Sequence, residues 1–346
     1  MLNKYIILFF FVVPFFLFLS LKISKYFKLV DFPDHLRKLH VDEVPLAGGV
    51  FFGILFLFFF LIYLYFYFFD KFYLNFPKSE INDFFILFFS ILSCFVVGIF
   101  DDKKNLSPQS KLILIFLIIF FSLNCLSENF VLTKLYFFSN ITKQLDTFAT
   151  LFTAFCFLLL LNASNMADGV NSLASIMFSI WIYIINIFLD QNSYYFFINC
   201  ILIFSLLLFA IFNFKNKCFL GDSGCFILSV YISFITIYSY NLNLNNDIKI
   251  LNIESVFLLF LIPGIDMFRI FLKRIYNKKN PFRPDNDHFH HILIRKISIS
   301  RVIIIYSSLI VLPWFLYYMN VSLLIYIIIS TLLIFFFLIY IFKKIL

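Results

Sequence analysis

The chain has 346 residues, of which 63% are hydrophobic and only 13% charged, with a formal net charge of +8 and a mean hydropathy of +0.99. A soluble domain carries about 25% charged residues, so a water-soluble globule is excluded, and so is disorder, which requires low hydrophobicity and high charge. The length suffices for roughly ten membrane-spanning helices of about 20 residues with short connections.

Apolar runs with few charges predict helices at about 5–21, 46–69, 84–100, 112–126, 148–163, 172–189, 194–214, 226–240, 255–272, 302–319 and 321–342, eleven in all. The first run has no small-x-small cleavage pattern and continues into Lys22, Lys25 and Lys28, so it reads as an uncleaved helix. With the N-terminus placed outside, 21 of the 27 Lys and Arg residues fall in inside segments and 6 in outside ones. Cytoplasmic loops are the ones rich in Lys and Arg. The expected fold is therefore an all-α polytopic membrane protein of about eleven transmembrane helices, N-terminus out and C-terminus cytoplasmic. It forms one integral-membrane domain over 1–346, with a cytoplasmic substrate-binding loop at about 274–300. Topology accounts for the positive charge, and no nucleic-acid partner is expected. The 57 Phe residues accompany abundant Ile, Asn, Lys and Tyr and read as mutational bias. The six cysteines form no CxxC pair and read as apolar fillers rather than a disulfide framework or a thiolate metal site.

The outside connections are bland, whereas the inside ones carry dense polar clusters. The first contains Asp31, Pro33, Asp34, His35, Arg37, Lys38 and His40, then Pro45 and Gly48-Gly49. It either anchors a helix end at anionic lipid or contributes to an anionic-ligand site. The second contains Asp101-Asp102-Lys103-Lys104 and then Lys111. Two carboxylates at a helix C-terminus oppose the helix dipole and need a compensating cation. Lys103 and Lys104 could supply it, or Mg²⁺, or one acid could be a pKa-tuned base. Lys111, opening the next helix, either snorkels or meets a phosphate.

The third cluster, Asn162 to Ser172, has no positive charge. It is either a tight Asx/Gly turn or a functional face, since Asn162, Asn165 and Asp168 recur every three residues and would share one side if the fifth helix continues. In Phe219-Leu220-Gly221-Asp222-Ser223-Gly224, Asp222 is either the N-cap of the following helix or part of a phosphate site, and Phe219 offers a stacking face. In the last cluster Asp266 and Arg269 form an i,i+3 pair. Beyond them lie Arg274, Lys278, Lys279, Pro281, Arg283, Pro284, Asp285, Asp287, His288, His290 and His291, suited to gripping the phosphates and hydroxyls of a nucleotide sugar. If this stretch is helical, His288 and His291 share a face and His290 turns aside.

Five motifs in this order, DFPDHLRKLH…P…GG, GIFDDKKNLSPQSK, NASNMADGVNSL, FLGDSG and PDNDHFHH, resemble those of the polyprenyl-phosphate N-acetylhexosamine-1-phosphate transferases of glycosyltransferase family 4. The resemblance runs from Asp31 to His291. It implies a Mg²⁺-dependent transferase (Mn²⁺ also serving) in the bacterial inner membrane, with its active site on the cytoplasmic face. Its substrates would be a UDP-sugar and undecaprenyl phosphate, its surroundings membrane lipids, and a homodimer is compatible with it. Asp222 would be a metal ligand, with Asn165 contributing. Asp101, Asp102 and Asp168 would be catalytic, and Lys111 would hold phosphate. Phe219 would stack on uracil, Asn171 (where the family often has Asp) would meet a uracil edge, and His288, His290 and His291 would face the sugar and pyrophosphate. The DxPxxRKxH opening and the HxHH pattern are more similar to the N-acetylhexosamine branch than to the phospho-MurNAc-pentapeptide branch. An anionic-lipid flippase is the competing class. It would place polar residues near helix midpoints, and here they gather at helix ends.

Overall fold

The computed structural model describes residues 2–33, 42–69, 81–137, 141–191, 193–244, 251–280 and 287–344. Of the expected ligand-binding residues, Asp34, His35, Arg37, Lys38, His40, Pro281, Arg283, Pro284 and Asp285 lie outside these.

Every predicted apolar run coincides with a helix: α1 (Leu2–Tyr26), α2 (Gly48–Phe69), α3 (Ile81–Lys104), α4 (Pro108–Cys125), α5 (Ala149–Ala167), α6 (Leu173–Asn186), α7 (Tyr194–Phe214), α8 (Gly221–Leu244), α9 (Ile253–Tyr276), α11 (Ile299–Met319) and α12 (Leu324–Lys344). A short helix, α10 (Phe289–Ile294), matches no apolar run. Among the described residues ten helices are long and apolar enough to cross a membrane, while α6 has 14 residues. Helices are the expected solution, because hydrocarbon offers no partner to a free backbone group. Several starts are capped from the sequence: Ser107 accepts from Ser110 N at 3.1 Å ahead of Pro108, and Ser193 and Asn252 do the same for α7 and α9.

Helix α8 is the hub. Its spanning stretch is 94% buried, and α2, α3, α5 and α6 pack around it. Small residues permit the approach. A Cβ on Gly49 would sit 1.9 Å from Ser223 Oγ, and one on Gly98 2.3 Å from Ser223 Cα, so both helices meet α8 backbone to backbone. Farther along, the Ser164 and Ser229 hydroxyls hydrogen-bond at 2.6 Å between α5 and α8. In α9, Pro263 cannot donate to the carbonyl one turn back. That carbonyl, on Leu259, accepts from Trp181 Nε1 at 3.0 Å instead. An apolar cleft of about 470 Å³ lies between α5, α8 and α9, lined by Leu160, Ala163, Ile237, Phe260 and Gly264 among others, and reaches Met267 and Phe268.

Two small antiparallel ribbons mark the two ends of the bundle. Strands β1 (Val30–Asp31) and β2 (Val44–Pro45) pair Val30 with Pro45 and Asp31 with Val44. Phe219 N donates to Pro45 O at 2.9 Å, and Gly48 N to Phe219 O at 3.1 Å, so the start of α2 is tied to the segment leading into α8. At the opposite end, β3 (Lys134–Tyr136) pairs with β4 (Thr142–Gln144).

Candidate active site

The two acids ending α3 solve their unfavourable helix position differently. Asp101 is buried; its Oδ1 accepts from Leu106 N at 2.8 Å and its Oδ2 from Lys111 Nζ at 2.6 Å. The same ammonium lies 2.8 Å from Asp222 Oδ2. Lys111 is therefore the compensating cation, while Lys103 and Lys104 are exposed. Asp102 reaches across to α8: its Oδ1 accepts from Asp222 N at 2.8 Å, and its Oδ2 from Ser223 N at 3.2 Å and from the Ser223 hydroxyl. It is an N-cap supplied by another helix, with its charge at the positive end of the α8 dipole. Gly221 makes this possible, with φ +74° and a hypothetical Cβ only 2.9 Å from Asp102 Oδ2. With the cap taken by Asp102, the Asp222 carboxylate is left for Lys111 and for whatever binds there.

The last turn of α5 joins the same centre. The Asn165 side chain hydrogen-bonds Asp222. Asp168 is the first residue past the helix, where its N–H donates to Asn165 O at 3.2 Å. The buried Cys225 thiol hydrogen-bonds the Asp168 carboxyl. Burial, and then the neighbouring Asp222 and Asp102 carboxylates, push the Asp168 carboxyl well above the usual carboxylate range. Asn162, Asn165 and Asp168 thus do lie along one end of α5, although the helix stops one residue short of Asp168.

Four carboxyl groups share this centre with the Lys111 ammonium. An uncompensated charge in such a setting is costly, so the arrangement favours a further cation or retained protons. Among the described residues no three His, Cys, Asp or Glu side chains are grouped to hold a metal unaided. Asp101 and Asp222 nevertheless converge on one positive charge, the Lys111 ammonium. Oxygen donors of this kind suit Mg²⁺, which binds a carboxylate or two and takes its remaining ligands from substrate phosphates and water.

The histidines arrive from the other side. Asp266, inside α9, pairs with Arg269 at 2.7 Å as the spacing predicts. It also lies 3.0 Å from His288 Nδ1 and accepts from Phe289 N at 3.1 Å, a role the spacing does not announce. His288 precedes α10 in extended backbone (φ −60°, ψ 150°). His290 therefore does not turn aside: its ring stacks parallel to His288 at 5.7 Å and lies 4.3 Å from that of His291. A Cβ on Gly169 would be 2.3 Å from His290 Nε2 and 2.8 Å from His291 Nε2, so the pair sits directly on the turn after Asp168.

The loops that carry Asn171 and Phe219 are tied together through Asn213. Its Oδ1 accepts from Ser172 N and its Nδ2 donates to Cys218 O at 2.7 Å. Ser172 adopts φ +67°, and Asn171 Nδ2 donates to Asn216 Oδ1 at 2.5 Å. The structure thus brings Asp101, Asp102, Lys111, Asn165, Asp168 and Asp222 into one hydrogen-bonded group, sets His290 and His291 beside Gly169, and holds Asn171 and Phe219 in adjoining loops. Sequence reasoning missed Ser223, Asn213, Cys225 and the wider part played by Asp266. Small polar residues at apolar helix ends carry no distinguishing pattern, and only the Asp266–Arg269 spacing gave a signal.

The profile of a family described as glycosyl transferase family 4 matches residues 84–240, the part that contributes the acidic centre. A Thermotoga maritima protein is 28% identical over 292 residues, 82% of this chain and 79% of its own length. A protein of Escherichia coli O157:H7 is 27% identical, covering 83% and 74%, and one of Yersinia pestis 24% identical, covering 83% and 75%. All three are named undecaprenyl-phosphate alpha-N-acetylglucosaminyl 1-phosphate transferase. The resemblance read from the five motifs is borne out, and the chain is similar to these transferases.

Proposed function

We propose that the chain transfers N-acetylglucosamine 1-phosphate from UDP-N-acetylglucosamine to undecaprenyl phosphate at the cytoplasmic face of a bacterial inner membrane, releasing UMP. The observation that carries this is the convergence of Asp101, Lys111, Asp168 and Asp222 at one end of an otherwise apolar bundle. A water-soluble nucleotide sugar and a bilayer-embedded phosphate can meet only at such a boundary.

Phosphoryl transfer asks mainly for positioning and charge neutralisation. An oxygen of the lipid phosphate attacks the β-phosphorus of the UDP-sugar. The bond from that phosphorus to the oxygen bridging the α-phosphate breaks, and UMP leaves with the bridging oxygen. Lys111, tethered at both sides, holds an incoming phosphate against the acids. Asp168 is the group placed to receive a proton carried by the acceptor phosphate. Asp102 fixes the first turn of α8 and hence the direction of the Asp222 carboxylate. Asp222, Asn165 and Asp101 would hold Mg²⁺, which supplies charge neutralisation at the pyrophosphate. The cleft between α5, α8 and α9 reaches Ala163, on the same helix end as Asn165, and its largely apolar lining matches a polyprenyl chain. Asn171 and Phe219 receive the uracil, and His290 and His291 the sugar-pyrophosphate.

The test is to incubate purified protein with undecaprenyl phosphate, Mg²⁺ and a panel of UDP-sugars and to measure UMP. Release with UDP-N-acetylglucosamine is expected. Release from UDP-MurNAc-pentapeptide alone would place the chain in the other branch, and none from any donor would overturn the reading.

A further inference from the structure

We propose that Asp266 is a positioning residue for the donor sugar: it fixes the histidine segment against the Asp168–Gly169 turn and so sets how His290 and His291 present their rings. The identity of the ligand as a nucleotide sugar rests on the proposed function; the placement does not.

Asp266 is only 3% exposed, although it lies within an apolar helix and would be costly there unless paired. Its carboxylate is saturated from two elements. From α9, Arg269 donates Nη2 at 2.7 Å and Nε at 3.2 Å to Oδ1. From the histidine segment, Phe289 N donates at 3.1–3.2 Å, and His288 Nδ1 lies 3.0 Å from Oδ2. A carboxylate only accepts, so His288 Nδ1 carries a proton in this contact. Arg269 Nη2 also donates to Asp287 O at 2.6 Å, and Lys273 pairs with the Asp287 carboxylate. Asp266, Arg269 and Lys273 recur at i, i+3 and i+7, one face of α9, and that face grips residues 287–289.

The clamp has a directional consequence. Phe289 is fully buried, packed on Tyr306 and Phe335, so α10 cannot rotate once its first turn is fixed. His290 is then 1% exposed, and neither ring nitrogen has a hydrogen-bond partner. A buried imidazole with both nitrogens unsatisfied costs stability. It is held in that state beside Gly169, where a Cβ would come within 2.3 Å of its Nε2. A group with polar atoms entering beside Asp168 would satisfy it. Asp266 touches none of the acids of the centre, and its effect on a ligand passes through the histidines.

The experiment compares wild type with Asp266→Asn, Asp266→Glu and Arg269→Ala. Two readouts are taken: KM for UDP-N-acetylglucosamine and for undecaprenyl phosphate separately, and carbethoxylation of His290 by diethyl pyrocarbonate, followed by mass spectrometry. Asp266→Asn should raise the nucleotide-sugar KM about tenfold, the effect of one lost charge-assisted hydrogen bond. The lipid KM should stay in place, and His290 should change from protected to reactive. Asp266→Glu, which keeps the charge, should recover part of both effects, and Arg269→Ala should mimic Asp266→Asn. An Asp266→Asn protein with His290 still protected and both KM values unchanged would overturn the proposal. So would equal rises in both KM values with a lowered thermal midpoint, which is what loss of the fold alone would give. If the wild type releases no UMP from any donor, the proposed function fails while the labelling still decides whether Asp266 places His290.

Discussion

The two ends of α8 satisfy their polar groups by opposite means. At its C-terminal end the Asn241 amide lies within 2.9–3.1 Å of the carbonyls of Glu128, Asn129 and Val131, and Tyr240 Oη lies 2.6 Å from Tyr136 N. Neutral side chains there close off neutral backbone groups. At the N-terminal end four carboxyl groups and one ammonium crowd around a backbone that Gly49, Gly98 and Gly221 let neighbouring groups approach closely. A helix end that needed only to be stable could have been finished like the first. The charge gathered at the second is what a site for another charged molecule would need.

Substitutions at both ends sharpen that contrast. The largest effect belongs to the acids: Asp222→Asn should cut turnover by at least ~100-fold, the low end of a proton-transfer contribution, with membrane abundance unchanged because Asn is nearly isosteric. It should also raise the Mg²⁺ requirement. Asp101→Asn and Asp168→Asn should match it in turnover. Asp102→Asn should lose turnover, and Asp102→Ala should in addition lose about 0.5–2 kcal/mol of stability, because Asp102 caps α8. Near-normal turnover in Asp222→Asn at low Mg²⁺ would reduce that residue to a structural one.

Gly98→Ala comes next. Its new methyl would press on Ser223 Cα, and overpacking of this kind costs about 1–3 kcal/mol, read as a lower thermal midpoint together with lost activity. Asn241→Ala should cost a comparable 1–3 kcal/mol by stranding buried carbonyls, yet leave turnover per folded molecule unchanged. An activity loss there equal to that at Gly98 would erase the distinction between the ends.

The smallest effect is one of pH. Burial, with His291 and His288 beside it, holds the His290 imidazole well below its ordinary 6.5. Below about pH 6.5 the unfolded chain takes up a proton that the folded one refuses, so stability falls as pH falls, by at most about 1.4 kcal/mol per unit. Replacing His290 with Ala should flatten that decline in thermal midpoints measured from about pH 7 to pH 5.

The helices were legible because burial in lipid is written residue by residue. All eleven apolar runs appear as helices, with α5 and α9 each running four residues past the apolar stretch. The motifs likewise marked the segments whose side chains the structure gathers at the start of α8. What no local pattern could carry is who meets whom. Asp102 caps a helix that begins at Gly221, Lys111 bridges acids from α3 and α8, and Trp181 serves the carbonyl freed by Pro263. These are through-space pairings between residues far apart in the chain. The His290 orientation failed for a related reason. Helical spacing assumed that His288 was in the helix, whereas Asp266 holds it just ahead of the first turn.

The central claim, that the acidic centre moves a phosphoryl-linked sugar rather than a sugar alone, turns on which bond breaks. UDP-N-acetylglucosamine carrying ³²P at the β-phosphorus, supplied with undecaprenyl phosphate and Mg²⁺, separates the two directly. The account predicts that label moves into the lipid fraction together with the sugar, leaving unlabelled UMP, and that Asp222→Asn abolishes the transfer. Label retained on a released nucleotide diphosphate while the sugar moves to lipid would contradict it.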